Sequence, residues 1–552
     1  MSVSSSRSAE PHSAPLGASF TASAPRNNLN DSAGISWKLQ LFVFVLAAAV
    51  VVSRRPDALF NPQFFGEDGP VWYGQAYAFG WLASLTHQYG GYLQTLPRLA
   101  ASVALLVPLR FAPLVMNLIG ITIQVLPVTV LLSSRCSNWA SLSMRAFMAI
   151  VYIALPNTTE LDVSITNAQW HLALIACMLV LASITRDFRW RIFDIAVFLL
   201  SGLTGPFCIL LLPIATLFWW RRREPSRLIP VVILAATSVV QVVTILQASA
   251  ANRPKVGLGA TPELFIRLLA GQVYLGALLG QHSLPANKNI FFLAVVAVLG
   301  TAILVYCFIK TKLELKLLIL FAELILATSL LRPMMSMTVP QWEVLKQSLG
   351  IRYWFFPMLA FAWALIWCAG TSKTKPVRIA AWFGLVCMLI GILHDWEYTP
   401  YPSFHFQQRA QEFAHVAPGS FMSIAIYPPG WTLDITKRNP ACDSMPVGHI
   451  EQPAQNARVS GAIGVSGWVS GMHPIRQISV YVDHSLMQST IPNLKRPDID
   501  QSYLRSPIKD KGWATTIDLS KIAPGHHEIV ARAFGKGACE ADIAATSIER
   551  TP

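Results

Sequence analysis

The sequence predicts a polytopic α-helical membrane protein with about eleven spans and a C-terminal β-sandwich domain. Of its 552 residues, 53% are hydrophobic and only 13% are charged, whereas soluble domains carry roughly a quarter of charged residues. The hydrophobic residues are concentrated in long apolar stretches before residue 395. From residue 445 onward, short β-branched segments alternate with Gly, Pro and Asp turns, which is typical of a sandwich.

The predicted spans are separated by clusters of Lys and Arg, and short basic loops face the cytoplasm. This rule places the N-terminus inside and four long loops, with everything after residue 394, outside. It accounts for the net charge of +14 without nucleic acid as a partner. The spans lie near 37–53, 111–133, 144–160, 168–185, 191–201, 206–220, 228–247, 289–309, 314–331, 352–370 and 378–394, and the external loops are 54–95, 157–169, 248–288 and 332–351.

Two segments of the apolar region are not simple spans. Segment 96–109 carries two prolines and two arginines, which favour an interfacial or re-entrant helix. The run 191–220 is too long for one helix and is broken near 201–206 by Gly and Pro. It is either two short helices that meet inside the membrane or an ordinary helical hairpin.

The chain divides into four predicted regions. Residues 1–35 are a disordered cytoplasmic tail, because they cannot bury enough apolar surface to fold. Residues 36–395 form the transmembrane domain, 396–444 an external connecting segment, and 445–552 the external β-sandwich. Cys442 and Cys539 bracket the last region, and in an oxidising compartment we expect them to form a disulfide.

The first external loop contains two adjacent carboxylates, Glu67 and Asp68, followed by aromatic residues. Adjacent acids just after a span provide a general base or a metal ligand at the membrane surface. Alternatively, they cap the helix that follows, since acids favour helix N-termini and Pro70 suits a first turn.

This arrangement resembles the GT-C glycosyltransferase superfamily, of a bacterial type. The resemblance lies in the acidic pair early in the first external loop, the aromatic interfacial segment, the many spans and the C-terminal β domain. It implies a polyprenyl-phosphate-linked sugar as donor and a first-loop acid as base or metal ligand, with Asp68 the primary candidate and Glu67 the second. It also implies a bacterial inner (plasma) membrane location, and leaves open whether a divalent metal assists.

Further candidates lie in later external loops. Glu160 is a third catalytic candidate, and a polar group beside it suits substrate binding: Asp162, Gln169, Trp170 and His171. The alternative is a solvated loop with a Trp in the interfacial belt. Arg352 and Arg332 suit phosphate binding. Snorkelling is the ordinary explanation for any one such residue, but external basic residues run against the positive-inside bias, which favours a function for these two.

The sequence therefore predicts a transferase that moves a sugar to a cell-surface glycan or lipid acceptor on the external face. The rivals are a transporter or flippase of lipid-linked glycans, which often shows paired internal repeats, and a polysaccharide polymerase. His394, Asp395 and Glu397 follow the last span, but without a second ligand group they indicate solvated residues more than a metal site.

Overall fold

The computed structural model describes residues 35–185, 187–248, 256–281, 289–336, 338–346, 350–502, 506–536 and 539–552. The predicted disordered tail, apart from its last residue, lies outside these ranges.

Long helices dominate the chain up to residue 394. Each predicted span coincides with one of them to within a few residues, except 144–160, whose helix ends at Ala154. It ends there because Pro156 follows and disfavours the helical conformation at Leu155. The helices are Trp37–Arg54, Ala112–Leu132, Leu142–Ala154, Ala168–Leu181, Phe188–Gly202, Phe207–Arg222, Leu228–Ala248, Ile290–Lys310, Leu313–Leu331, Phe355–Thr371 and Lys375–His394.

Among the described residues, seven helices are long and apolar enough to cross a membrane. Two apolar helices, Leu142–Ala154 and Ala168–Leu181, are shorter. The seven are Trp37–Arg54, Leu109–Leu132, Pro225–Gln247, Pro262–Leu279, Ile290–Lys310, Ile351–Thr371 and Lys375–His394.

The helix Pro262–Leu279 lies within 248–288, which the sequence predicts to be an external loop. By length and composition this helix is also able to cross a membrane. The apolar pattern here is diluted by Arg267, Gln272 and two glycines, so no long uninterrupted hydrophobic run marks the helix. Its middle part, Leu268–Leu275, is a π-helix.

Shorter helical segments connect the long ones. Thr95–Ala104 has only ten residues, too few to cross a bilayer. The run 191–220 forms two helices joined by a turn, in which Gly205 has a φ of +78°. The remaining short segments are Asp57–Phe60, Gly66–Asp68, Gly69–Tyr73, Gly74–Phe79, Trp81–Ser84, Leu109–Phe111, Ser134–Cys136, Pro225–Arg227, Gln341–Leu345, Ile351–Trp354, Phe406–His415 and Pro497–Ser502.

One helix lies at the centre of the helical region. Every residue of Ala168–Leu181 is buried, as expected for a helix that is hydrophobic all round. Most of Phe355–Thr371 is buried as well. Two polar residues that precede these helices, Glu160 and Arg352, contact each other.

The C-terminal region consists of β-sheets. A three-stranded sheet has the order β3-β5-β8 and a five-stranded sheet the order β4-β10-β9-β6-β7. Val465 and Trp513 of the smaller sheet share one hydrophobic core with Val480 and Ile529 of the larger. The strands are β1 (Phe421–Ile426), β2 (Trp431–Thr436), β3 (Val447–Gln452), β4 (Ala457–Val459), β5 (Ala462–Ser470), β6 (Gln477–Val482), β7 (Ser485–Thr490), β8 (Gly512–Asp518), β9 (Gly525–Phe534) and β10 (Glu540–Arg550).

The segment 396–444 is folded against the helical region. It contains the helix Phe406–His415 and the antiparallel hairpin β1–β2. Side chains of both, including Phe413, Ile424 and Leu433, belong to the hydrophobic core of the helical region. A disulfide between Cys442 and Cys539 joins the end of this segment to the residue before β10.

Candidate functional site

Asp68 lies in a short 3-10 turn, Gly66–Asp68, that follows the first long helix. Its side chain is buried, with 2% of the residue exposed. Thr166 donates a hydrogen bond from its hydroxyl to Asp68 Oδ1 at 2.6 Å, and Trp72 Nε1 donates to the same hydroxyl at 2.7 Å. Neither the turn nor the helical segment after it has a side-chain cap hydrogen bond. Asp68 occupies the N-cap position of the segment that follows, with Pro70 in its first turn as predicted, but its carboxylate bonds to Thr166 and makes no capping hydrogen bond.

The environment of Asp68 favours its neutral form. The pKa of Asp68 is raised to about 7, because burial and, to a smaller degree, the negative charge of Glu67 raise it more than the hydrogen bond from Thr166 lowers it. A carboxyl with a pKa near neutrality changes its charge at physiological pH. Asp68 is thus able to accept and release a proton under those conditions.

Glu67 faces a pair of tyrosines. Tyr89 donates a hydrogen bond from its hydroxyl to Glu67 Oε1 at 3.3 Å. Burial raises the pKa of Tyr89, and the charge of Glu67 raises it further. Burial, followed by nearby Tyr353, raises the pKa of Tyr92 to about 12, while Arg352 lowers it. Both phenols remain protonated donors at neutral pH, and Glu67 and Arg352 lie within electrostatic range of Tyr92.

The structure brings together Glu160 and Arg352, which are 192 residues apart in sequence. Their side chains form an ion pair, and the backbone N–H of Arg352 donates to Glu160 Oε2 at 3.3 Å. Arg352 Nη2 contacts only the thioether of Met335 among the described residues, at 3.8 Å, and a thioether is a weak acceptor. The predicted base and the predicted phosphate ligand are therefore partners, and one end of the guanidinium lacks a strong acceptor.

Asp162 occupies a different kind of environment. It is 3% exposed and pairs with Arg54 at 3.1 Å. It also accepts hydrogen bonds from Gln124 and from the hydroxyl of Tyr398, the latter at 2.5 Å. This carboxylate has four polar neighbours, including Thr158 at 3.3 Å. The arrangement joins the end of the first helix to the loop before Ala168–Leu181.

The other predicted binding residues lie at the start of Ala168–Leu181. Gln169 Nε2 donates to the backbone oxygen of Thr166 at 3.3 Å, which places it beside the Asp68 hydrogen bonds. Trp170 is buried against Phe207, with ring centroids 4.8 Å apart, so it is neither solvated nor part of an exposed belt. His171 is buried and its Nδ1 lies 2.8 Å from the hydroxyl of Tyr152.

The remaining candidates are Arg332 and the acid after the last long helix, Asp395. Arg332 is exposed at the end of Leu313–Leu331. Within the described ranges, no hydrogen bond or ion pair joins it to Glu67, Asp68 or Arg352. Asp395, which the sequence predicts to be solvated, is instead buried, and it accepts hydrogen bonds from the backbone of Asn157, at 2.9 Å, and of Gln281, at 2.6 Å. No group of three or more His, Cys, Asp or Glu side chains suited to a metal occurs in the part of the chain that is described.

Arg55 is a further candidate that is not among the residues predicted from the sequence. It is 4% exposed, and its guanidinium lies 4.2 Å from the ring centroid of Tyr401 and 5.2 Å from that of Tyr398. Its Nη2 donates to the backbone oxygen of Thr159 at 3.2 Å, while Nε and Nη1 are buried without a hydrogen-bond partner. Asp68 acts electrostatically on Tyr401, so the ring lies near both Arg55 and the acid. The bias against external arginines that singles out Arg352 applies equally to Arg55.

Comparison with known proteins provides no family. No family model and no curated protein matches the chain. The chain is similar to a solved endo-β-1,4-mannanase from Thermotoga petrophila, with 11% identity, 20% of each chain covered and a TM-score of 0.15. It is also similar to fibronectin(III)-like modules of Clostridium thermocellum CbhA, with 13% identity, 19% of this chain and 100% of that chain covered, and a TM-score of 0.13. The chain thus spans about a fifth of the mannanase, and likenesses this weak support no functional argument.

Proposed function

We propose that this protein is a membrane glycosyltransferase that moves a sugar from a polyprenyl-phosphate-linked donor to a glycan or lipid acceptor. In this proposal it crosses the bacterial inner membrane about eleven times, with its N-terminus in the cytoplasm and its active site and C-terminal domain outside. The observation that carries the proposal is Asp68, a buried carboxyl with a pKa of about 7.

Asp68 acts as the general base. Its carboxylate accepts the proton of an acceptor hydroxyl while that oxygen attacks the anomeric carbon of the donor sugar. The bond from the anomeric carbon to the phosphate oxygen breaks, and the polyprenyl phosphate leaves with the bonding electrons. Thr166, itself oriented by Trp72, holds Oδ1 of the carboxylate. That support fixes the base before the acceptor arrives, which reduces the reorganisation needed during transfer.

Two arginines near the acids suit the donor phosphate. One guanidinium nitrogen of Arg352, Nη2, has only the weak thioether acceptor of Met335 among the described residues. Arg55 keeps two buried nitrogens without partners, and an unpaired buried cation is costly until an anion neutralises it. A phosphate held by arginine carries less excess charge as it leaves. Glu160, which pairs with Arg352, orients that arginine and is the third catalytic candidate after Asp68 and Glu67.

The proposal is tested in membranes with and without the protein, supplied with a radiolabelled polyprenyl-phosphate sugar. A transferase consumes the donor and converts its label into an acceptor product. A transporter or flippase moves the labelled lipid between leaflets but leaves its amount unchanged. Undiminished donor, together with protein-dependent movement of the label across the bilayer, would contradict the proposal and favour the transporter.

A further inference from the structure

The hairpin β1–β2 contacts the acidic turn directly. Tyr427, which follows β1, forms a β-bridge with Phe65, and its backbone oxygen accepts a hydrogen bond from Gly66 N at 2.6 Å. Its ring stacks on Tyr401, with centroids 4.0 Å apart and planes 12° apart. Gly66 has a φ of +48°, a conformation that most side chains avoid. The turn that carries Asp68 is therefore held by a strand end far away in sequence.

The hairpin also limits the path of the chain immediately after Asp68. A Cβ atom added at Gly69 would lie 2.9 Å from Ile426 Cδ1, closer than such atoms approach in proteins. The same atom would lie 3.3 Å from Phe64 Cβ, a tight contact that a small shift relieves. Ile426 is fully buried. The space beside Gly69 is thus closed mainly by one methyl group of the hairpin.

The hairpin is in turn anchored to the C-terminal sheets. Thr436, at the end of β2, donates from its hydroxyl to the backbone oxygen of Asp542 in β10 at 2.7 Å. Asp542 N donates to the backbone oxygen of Gly419, just before β1, at 2.8 Å. The disulfide between Cys442 and Cys539 lies just beyond these contacts in sequence. Contacts on both sides of the hairpin therefore connect the acidic turn to the five-stranded sheet.

We infer that the β1–β2 hairpin positions Asp68 for proton transfer, with Ile426 and Tyr427 as the positioning residues. The inference rests on the proposed function, in which Asp68 is the base. A misplacement of about 1 Å at a reacting group costs about a hundredfold in rate, so the contacts that hold the turn affect the rate. The C-terminal region thus takes part in catalysis through the hairpin that it anchors.

The test is a steric clash and its relief in the full-length protein. Gly69→Ala places a methyl group against Ile426 Cδ1 and displaces the turn, whereas Ile426→Val removes that atom. We expect Gly69→Ala to lower kcat at least tenfold, with KM for the donor changed less than twofold, and to shift the pH at half-maximal kcat. In the double variant, kcat should return to within threefold of the wild type, and the pH at half-maximal kcat to within half a pH unit. Ile426→Val alone should cost no more than about threefold.

Controls separate positioning from folding and from the proposed function. Gly271→Ala adds a methyl where nothing lies within 4 Å, and it should leave transfer unchanged. Thermal unfolding of each variant in the same detergent reports packing alone. Normal transfer by Gly69→Ala, or a double variant that regains stability but not rate and pH profile, would overturn the positioning role. Full transfer by Asp68→Asn would instead overturn the proposed function, while the stability coupling between positions 69 and 426 would still report the hairpin contact.

Discussion

Replacing Asp68 by asparagine is expected to stabilise the folded protein at alkaline pH. Burial raises the pKa of Asp68 from 3.8 to about 7, so the folded state retains a proton that the unfolded state releases. The stability from this group is complete below about pH 4 and is lost as the pH rises through 7. A difference of about 3 pKa units corresponds to about 4 kcal/mol. Asparagine has nearly the same shape and stays neutral, so it avoids this loss.

The assay is thermal unfolding of the purified protein in detergent at pH 4.5 and pH 8. At pH 8 Asp68→Asn should unfold several degrees higher than the wild type, and most of this gain should vanish at pH 4.5. Glu343→Gln is the matched control, because it neutralises a half-exposed carboxylate that pairs with Lys346 at 2.8 Å. The same difference in Tm at both pH values would refute the buried, proton-retaining state of Asp68.

Three further predictions concern the disulfide and the arginines. Non-reducing peptide mapping should recover Cys442 linked to Cys539, and free thiols at both positions in native membranes would contradict this. Replacing both cysteines by serine should lower Tm, because closing a loop of about 100 residues stabilises the folded protein by about 4–5 kcal/mol. Arg352→Lys keeps the charge but loses the planar fork of the guanidinium, so the KM for the donor should rise at least tenfold, and more in Arg352→Ala. An unchanged KM in both variants would exclude Arg352 from the phosphate site and leave it only its ion pair with Glu160. Arg55→Gln should likewise raise donor KM, and a change in Tm without a change in KM would exclude Arg55 from the phosphate site.

The positions of the long helices follow from the sequence because hydrophobic run length is a local property. The helix Pro262–Leu279 is not predicted in this way, because its glycines and Arg267 interrupt the hydrophobic run. Packing of its buried residues in the fold stabilises it instead. The hairpin β1–β2 lies in 396–444, which the sequence predicts only as a connecting segment, although Pro428-Pro429-Gly430 between two short apolar runs is a turn signal. Two strands of six residues each are a weaker signal than the repeated pattern of strands and turns after residue 445.

The sequence identified residue types at the site but not their pairings. Asp68 and Asp162 are both acids after a span, yet the structure surrounds Asp162 with Arg54, Gln124 and Tyr398 and leaves Asp68 with Thr166. The local sequence does not distinguish the two acids, because each of these partners is at least 38 residues from its carboxylate in sequence. Pairing is a tertiary property, and it decides which carboxyl is available for chemistry.

The central claim is tested most directly by the transfer rate of purified Asp68→Asn in lipid, with a polyprenyl-phosphate sugar and the acceptor that the wild type uses. Loss of a general base lowers rates by about 10²–10⁴, and we expect a loss in that range with the fold intact by thermal unfolding. Glu67→Gln, which keeps the neighbouring position and removes only the adjacent charge, should retain more activity. A folded Asp68→Asn protein that transfers sugar at the wild-type rate would contradict the account.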